Sequence, residues 1–159
     1  MAELVDAPDS KSGSREGVRV RPPLRVPLFF DCLNMEVIVR RGQESDMNAL
    51  RDILNHYILK TAVTFEMVEL SLENRLTWFT QFSQTGRYQL FVAEKGSKVV
   101  GYAASLRFHQ RPAYAPSVMT SIYLDPDNTG KGVGEKVYST LLDSLKAAKD
   151  VHRAYGLVV

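Results

Sequence analysis

The 159-residue sequence has almost no cysteine: Cys32 stands alone, so no intrachain disulfide can form and a cysteine-built metal site is excluded. It also lacks an apolar run near the roughly 18 to 20 residues that a membrane helix needs, so no membrane partner is expected. Charge of one sign is not in excess either. Twenty Lys plus Arg against eighteen Asp plus Glu leave a net charge of +2, scattered along the chain, which argues against a nucleic-acid stripe or binding to an anionic lipid surface. The apolar stretch Val26 to Leu33 is interrupted by Pro27 and Asp31 and has no small-residue cleavage site, so it does not read as a secretory signal. Together these absences point to a cytoplasmic protein. No internal repeat is visible. What is present, 45% hydrophobic and 24% charged residues, suits one globular domain of mixed secondary structure.

That domain does not begin at once. Residues 1–34 contain four prolines and follow neither a helical nor a strand period, so they read as a disordered leader. The stretch ELVDAPDSKSGSREGVRVR is similar to the conceptual translation of a bacterial leucine transfer-RNA gene. On that reading the leader is spurious and the native start is Met35. The domain is therefore expected to span residues 35–159.

From Met35 onward the pattern is regular. MEVIVRR reads as a first strand. Ser45 or Asp46 can cap a helix on which Met47, Leu50, Ile53, Leu54, Tyr57 and Ile58 form one stripe. Ser71 can cap a second helix, LENRLTWFTQFSQ, with Leu72, Leu76, Phe79 and Phe82 on one face. QLFVAEK and KVVGYAASLRF are two strands joined at Gly96-Ser97, an antiparallel hairpin. SVMTSIYLD is a fourth strand. A glycine loop and a helix with Val133, Val137, Leu141, Leu145 and Ala148 along one side follow, and AYGLVV closes the chain as a fifth strand. The order predicts an α/β (α+β) domain with a mixed, mainly antiparallel sheet flanked by helices.

The loop NTGKGVGEK places Gly130, Gly132 and Gly134 at alternate positions before that last helix. Such a turn offers free backbone N–H groups at the positive end of a helix dipole, and glycine lets an anion come close. A nucleotide-triphosphate P-loop is disfavoured, because Lys136 is followed by Val137 and no glycine has the required spacing. A Rossmann fingerprint is disfavoured by the G-x-G-x-G spacing and the late position in the chain. A glycine turn that merely joins two elements fits the loop taken alone.

Its neighbours narrow the choice. NHYILKTAVTFE, LENRLTWF, RPAY and SIYLDPDNTGKGVGEKVYSTLL, in this order, resemble the GCN5-related N-acetyltransferases, and among them the phosphinothricin and amino-acid N-acetyltransferases. The resemblance spans Met35 to Val159 and implies an acyl-CoA N-acyltransferase fold with acetyl-CoA as co-substrate. It implies that the fourth strand is bulged and splayed, so that Ile122, Tyr123 and Leu124 offer backbone groups to the pantetheine arm. Gly130, Lys131, Gly132, Val133, Gly134 and Glu135 would then surround the pyrophosphate, with Lys131 adding charge at the rim. Thr129 stands where the family has Gln or Arg, which removes one polar contact.

The resemblance further implies an acceptor pocket shaped by Phe65, Arg111 and Tyr114, and a small-molecule amine as partner. Arg111 is suited to a carboxylate or phosphinate, which a guanidinium grips with two hydrogen bonds; a solvated loop arginine fits it equally well. The base is the point of departure: the family's glutamate is replaced by Met119, which cannot accept a proton. His109, His56 or a water held by Tyr123 are the remaining candidates, each open to a structural reading. The family continues past the fifth strand, whereas this sequence stops at Val159. The fold is thus expected to be incomplete at its C-terminus, with Leu157, Val158 and Val159 on an apolar edge that invites a homodimer or an oligomer-dependent fold. The expected function is acetyl transfer from acetyl-CoA to the amino group of a small amino acid or phosphinothricin-like compound. The alternative is a truncated, catalytically silent acetyl-CoA-binding module. No metal is expected.

Overall fold

The alternating and helical periods of the sequence are realised in a computed structural model that describes residues 36–156. The predicted leader, Met35 and the apolar residues 157–159 lie outside the described residues. Strands β1 (Val37–Arg41), β2 (Leu90–Lys95), β3 (Lys98–Arg107), β4 (Ser117–Leu124) and β5 (Arg153–Gly156) form one sheet in that spatial order. All neighbouring pairs are antiparallel except β4 and β5, which run parallel, as the crossover through a helix requires. The expected mixed, mainly antiparallel sheet is therefore present.

Helices α1 (Met47–Lys60) and α2 (Leu72–Phe79) cover one face of the sheet, and α3 (Val133–Ala147) covers the other. The apolar period of α3 explains its seat: Val133, Val137, Leu141 and Leu145 are buried against Phe91, Ala103 and Val118. On the opposite face Met47, Leu50 and Ile53 of α1 meet Val92, Tyr102 and Ala104. Strands β2, β3 and β4 thus contribute to both layers by their two-residue alternation.

Two local expectations are corrected. Helix α2 ends at Phe79 rather than running on through Phe82, because Thr80, Gln81 and Phe82 turn their N–H groups to carbonyls three residues back and tighten the last turn. Phe82 nevertheless packs edge-on against Trp78, with ring centroids 4.5 Å apart. The expected bulge in β4 is absent, since its register with β3 runs unbroken from Val118 to Leu124. The irregularity lies one strand over, where Ala93 faces Gly101 but Glu94 faces Val99, so Val100 of β3 is the extra residue. Its carbonyl accepts a hydrogen bond from Asp125 N–H at 2.8 Å, fixing the end of β4.

The start of α2 follows the sequence closely. Ser71 Oγ accepts from Asn74 N–H at 3.1 Å. Ser71→Ala should lower stability by about 1 kcal/mol, read as a shift of the urea midpoint without change in slope; an unchanged midpoint would show the cap to be idle. Asp46 does not cap α1 but is turned back to Arg40 and to the Gln43 N–H.

Candidate functional site

The β4 edge and the start of α3 meet where the glycine loop crosses between them. In an antiparallel ladder only alternate residues bond to a given neighbour. Asp125 N–H bonds to Val100, so by alternation Tyr123, Ser121 and Met119 turn their main chain toward β3. Ile122 and Leu124 turn theirs the other way, toward the β5 side. There the recorded pairing runs from Ser117 opposite Arg153 to Thr120 opposite Gly156. Among the described residues, then, the main chain of Ile122 and Leu124 has no strand partner on that side, save that the Tyr57 hydroxyl donates to the Leu124 carbonyl at 2.7 Å.

The loop completes the corner. Gly130 and Gly132 have φ of +69° and +75°, a region closed to most side chains, and a Cβ on either would meet nothing within 4 Å. The space beside them is open. Gly132 precedes α3, whose first intrahelical bond runs from Lys136 N–H to the Gly132 carbonyl at 3.1 Å. The N–H groups of Val133, Gly134 and Glu135 are thus free of helix partners and gather the positive end of the α3 dipole. Gly134 lets the helix come close to β4: a Cβ there would lie 3.2 Å from Leu124 Cδ1 and 3.5 Å from Ile122 Cδ1. A row of donors therefore lies next to a strand edge that has no partner strand among the described residues.

Side chains at the loop behave differently from expectation. Lys131 Nζ donates to the Asp127 carbonyl at 2.5 Å, so it is folded along the loop rather than held over the glycines. Thr129 Oγ1 donates to the Pro126 carbonyl at 2.9 Å and stabilises the turn itself. Asp125 accepts from Lys98 at 2.6 Å, and this bond foremost holds its carboxyl below the usual carboxylate range.

The predicted acceptor residues are only partly brought together. Tyr114 lies 5.0 Å from the His109 ring and 5.8 Å from Phe108, and Phe108 stacks on Tyr155 at 4.3 Å. His109 Nδ1 accepts from the Arg111 main-chain N–H at 3.1 Å, which ties His109 to its own turn. Phe65 stands apart in the segment between α1 and α2, 92% exposed and without a ring partner among the described residues. Met119 is half-buried opposite Leu106, so the face where a base is expected carries a thioether. His56 packs edge-on against Tyr57 and lines two hollows beside α1, one with Asn55 and Glu69, the other with Lys98 and Asp125. Neither hollow includes Ile122, Leu124 or the glycine loop.

One residue escaped the sequence reading. Arg75 of α2 is 3% exposed, lies 3.6 Å from the centre of the Trp78 ring, and leaves Nε and Nη2 buried without a hydrogen-bond partner among the described residues. A signal was available: Leu72, Arg75, Leu76 and Phe79 fall at i, i+3, i+4 and i+7, the period of a buried face. Burial pulls the guanidinium below its ordinary value, opposed by Tyr102. Burial in turn pushes the Tyr102 phenol up, so that it stays neutral.

Comparison with known proteins adds a third line. Residues 39–159 match the GNAT acetyltransferase domain family. A phosphinothricin N-acetyltransferase of Streptomyces coelicolor is 41% identical over 123 residues, covering 76% of this chain and 71% of the relative. An L-amino acid N-acyltransferase of Escherichia coli is 32% identical over 108 residues, covering 68% of this chain and 62% of the relative. Among solved structures, an acetyltransferase from Salmonella typhimurium with its cofactor acetyl-CoA superposes with a TM-score of 0.69 at 29% identity, over 75% of this chain and 69% of that one.

Proposed function

The chain belongs to the GNAT acetyltransferase family, and from that membership we propose that it transfers an acetyl group from acetyl-CoA to the amino group of a small amino acid or phosphinothricin-like acceptor. The observation that carries this reading is the corner between β4 and α3. The outward main chain of Ile122 and Leu124 is suited to an extended amide-bearing arm, which would add to the sheet as a strand does. The N–H groups of Val133, Gly134 and Glu135, with the open space at Gly130 and Gly132, are suited to its pyrophosphate. Tyr123 then serves by its ring, which lies on the α1 and α2 side 5.6 Å from both Tyr57 and Tyr102, and Lys131 serves the loop's shape.

Transfer needs a neutral amine to attack the thioester carbonyl, a group to take its proton and donors for the oxyanion. The Ile122 and Leu124 N–H groups are the donors nearest the proposed arm. Met119 supplies no base, which favours a second reading, a coenzyme-binding module without turnover. Release of free thiol from acetyl-CoA in the presence of phosphinothricin and a panel of L-amino acids tests both. Thiol release with one acceptor supports the enzyme; coenzyme binding without release supports the module; absence of binding overturns both.

Gly132→Val should weaken acetyl-CoA about tenfold. A β-branched residue at positive φ costs about 1–2 kcal/mol and reorients the first N–H groups of α3. Isothermal titration reads this directly, and an unchanged dissociation constant would remove the loop from the site.

A further inference from the structure

Resting on the acetyl transfer proposed above, we infer that Arg75, rather than Arg111, holds the acceptor: its guanidinium binds the α-carboxylate of the incoming amino acid. A guanidinium remains charged inside proteins, and a buried charge calls for an opposite one. Among the described residues no carboxylate supports that of Arg75; the groups near it are the phenols of Tyr102 and Tyr123. The Trp78 ring at 3.6 Å and the Tyr102 ring at 5.8 Å attract the cation. The Trp78 ring attracts the charge but offers no lone pair to the N–H donors. Nε and Nη2 therefore still want acceptors, and a carboxylate offers two oxygens in the matching geometry.

Position agrees with charge. Arg75 lies over the sheet face that holds Tyr102 and, opposite it across the ladder, Tyr123, one residue from the outward main chain of Ile122. An anion bound there is on the α1 and α2 side of β4. The amine attached to it is then brought toward the strand along which the thioester is proposed to run. Arg111 is exposed, and a carboxylate gains less from a guanidinium in water than from one in a dry site.

Residues 62–69 belong to the connection between α1 and α2. This segment is clamped at one end by Thr61, whose N–H and hydroxyl both reach the Tyr57 carbonyl, and at the other by Asn55, which bonds both the N–H and the carbonyl of Leu70. Between the clamps the recorded side-chain bonds stay within the segment, and Phe65 and Met67 are exposed.

Equilibrium binding tests the assignment without requiring turnover. Titrations of phosphinothricin and L-methionine, each against its α-carboxamide, are made with coenzyme A present on the unmodified chain and on the R75K, R75Q and R111Q variants. The unmodified chain should bind the carboxylates at least tenfold more tightly than the amides. R75Q should abolish that difference while leaving the coenzyme dissociation constant within twofold, R75K should retain part of it, and R111Q should retain all of it. Equal binding of acid and amide by the unmodified chain overturns the proposal whether or not any variant folds. So does transfer of the difference to R111Q, or a dependence on Arg75 that survives amidation of phosphinothricin, which would assign the phosphinate instead. Coenzyme binding and thiol release with acceptors that ignore Arg75 would leave the acetyl transfer standing and this assignment fallen.

Discussion

Gly101→Val should destabilise the protein by about 3 kcal/mol, lowering the melting temperature by roughly 10 °C. Gly101 faces Leu124 across β3 and β4, and a Cβ there would stand 2.3 Å from Leu124 Cδ2, 3.1 Å from the Tyr123 carbonyl oxygen and 3.4 Å from Leu124 Cα. The side chain of Leu124 could give way alone, but its other methyl is already held against α3 at Gly134. The strands must therefore part where β4 is proposed to receive the coenzyme, so acetyl-CoA affinity should fall with stability. Urea unfolding with intact slope measures the first effect. A loss below about 0.5 kcal/mol would mean that the β3 and β4 contact is looser than the geometry indicates.

Asp46→Asn should cost about 3 kcal/mol, the low end for breaking a buried pair because Arg40 is partly exposed. Asp46 is 6% exposed; its two oxygens accept from Arg40 Nη2 at 2.9 Å and Nη1 at 2.8 Å, and Oδ2 also accepts from Gln43 N–H at 2.8 Å. Arg40 reaches on to Glu94 at 2.6 Å, so the pair links β1, β2 and the turn before α1. Burial works against the charge of Asp46, but the bonds from Arg40 and Gln43 outweigh it and hold the carboxyl below its usual value. A depressed carboxyl contributes stability that is complete above its unfolded pKa of about 3.9 and disappears as the pH falls through the folded value. The unmodified chain should thus lose more stability than the variant as pH is lowered from 6 into the acid range. Parallel urea midpoints for the two proteins would remove Asp46 from the acid response.

How far the sequence revealed this depended on whether a residue's type agreed with its place. Val133, Val137, Leu141 and Leu145 are apolar and buried, so their period located α3 and its face without help. Gly130 and Gly132 are glycines because φ is positive, which made the loop legible as a turn with open backbone. Arg75 hid because a charged side chain on a short helix reads as solvated, although its spacing with Leu72 and Phe79 said otherwise. The β3 bulge hid because Val99, Val100 and Tyr102 continue an apolar run buried on both faces, where an added residue leaves no break in alternation. The end of α2 was missed because Phe82 keeps the helical spacing and the packing while leaving the helix.

The hydrogen bond from Tyr57 to the Leu124 carbonyl has a bearing on which molecules the β4 edge can admit. A strand edge that shows donors and acceptors in strict alternation is a template for any other strand, including one from a misfolded neighbour. With a side chain of α1 already occupying the Leu124 acceptor, the edge beyond Thr120 has lost that symmetry: among the described residues Ile122 can both give and take, whereas Leu124 is left chiefly to give. A polypeptide adding there would place a carbonyl well but find its next N–H without a full partner. A shorter guest with a single amide in the right place suffers no such mismatch. If the coenzyme arm runs along this edge as proposed, the Tyr57 phenol would compete with it for the Leu124 carbonyl.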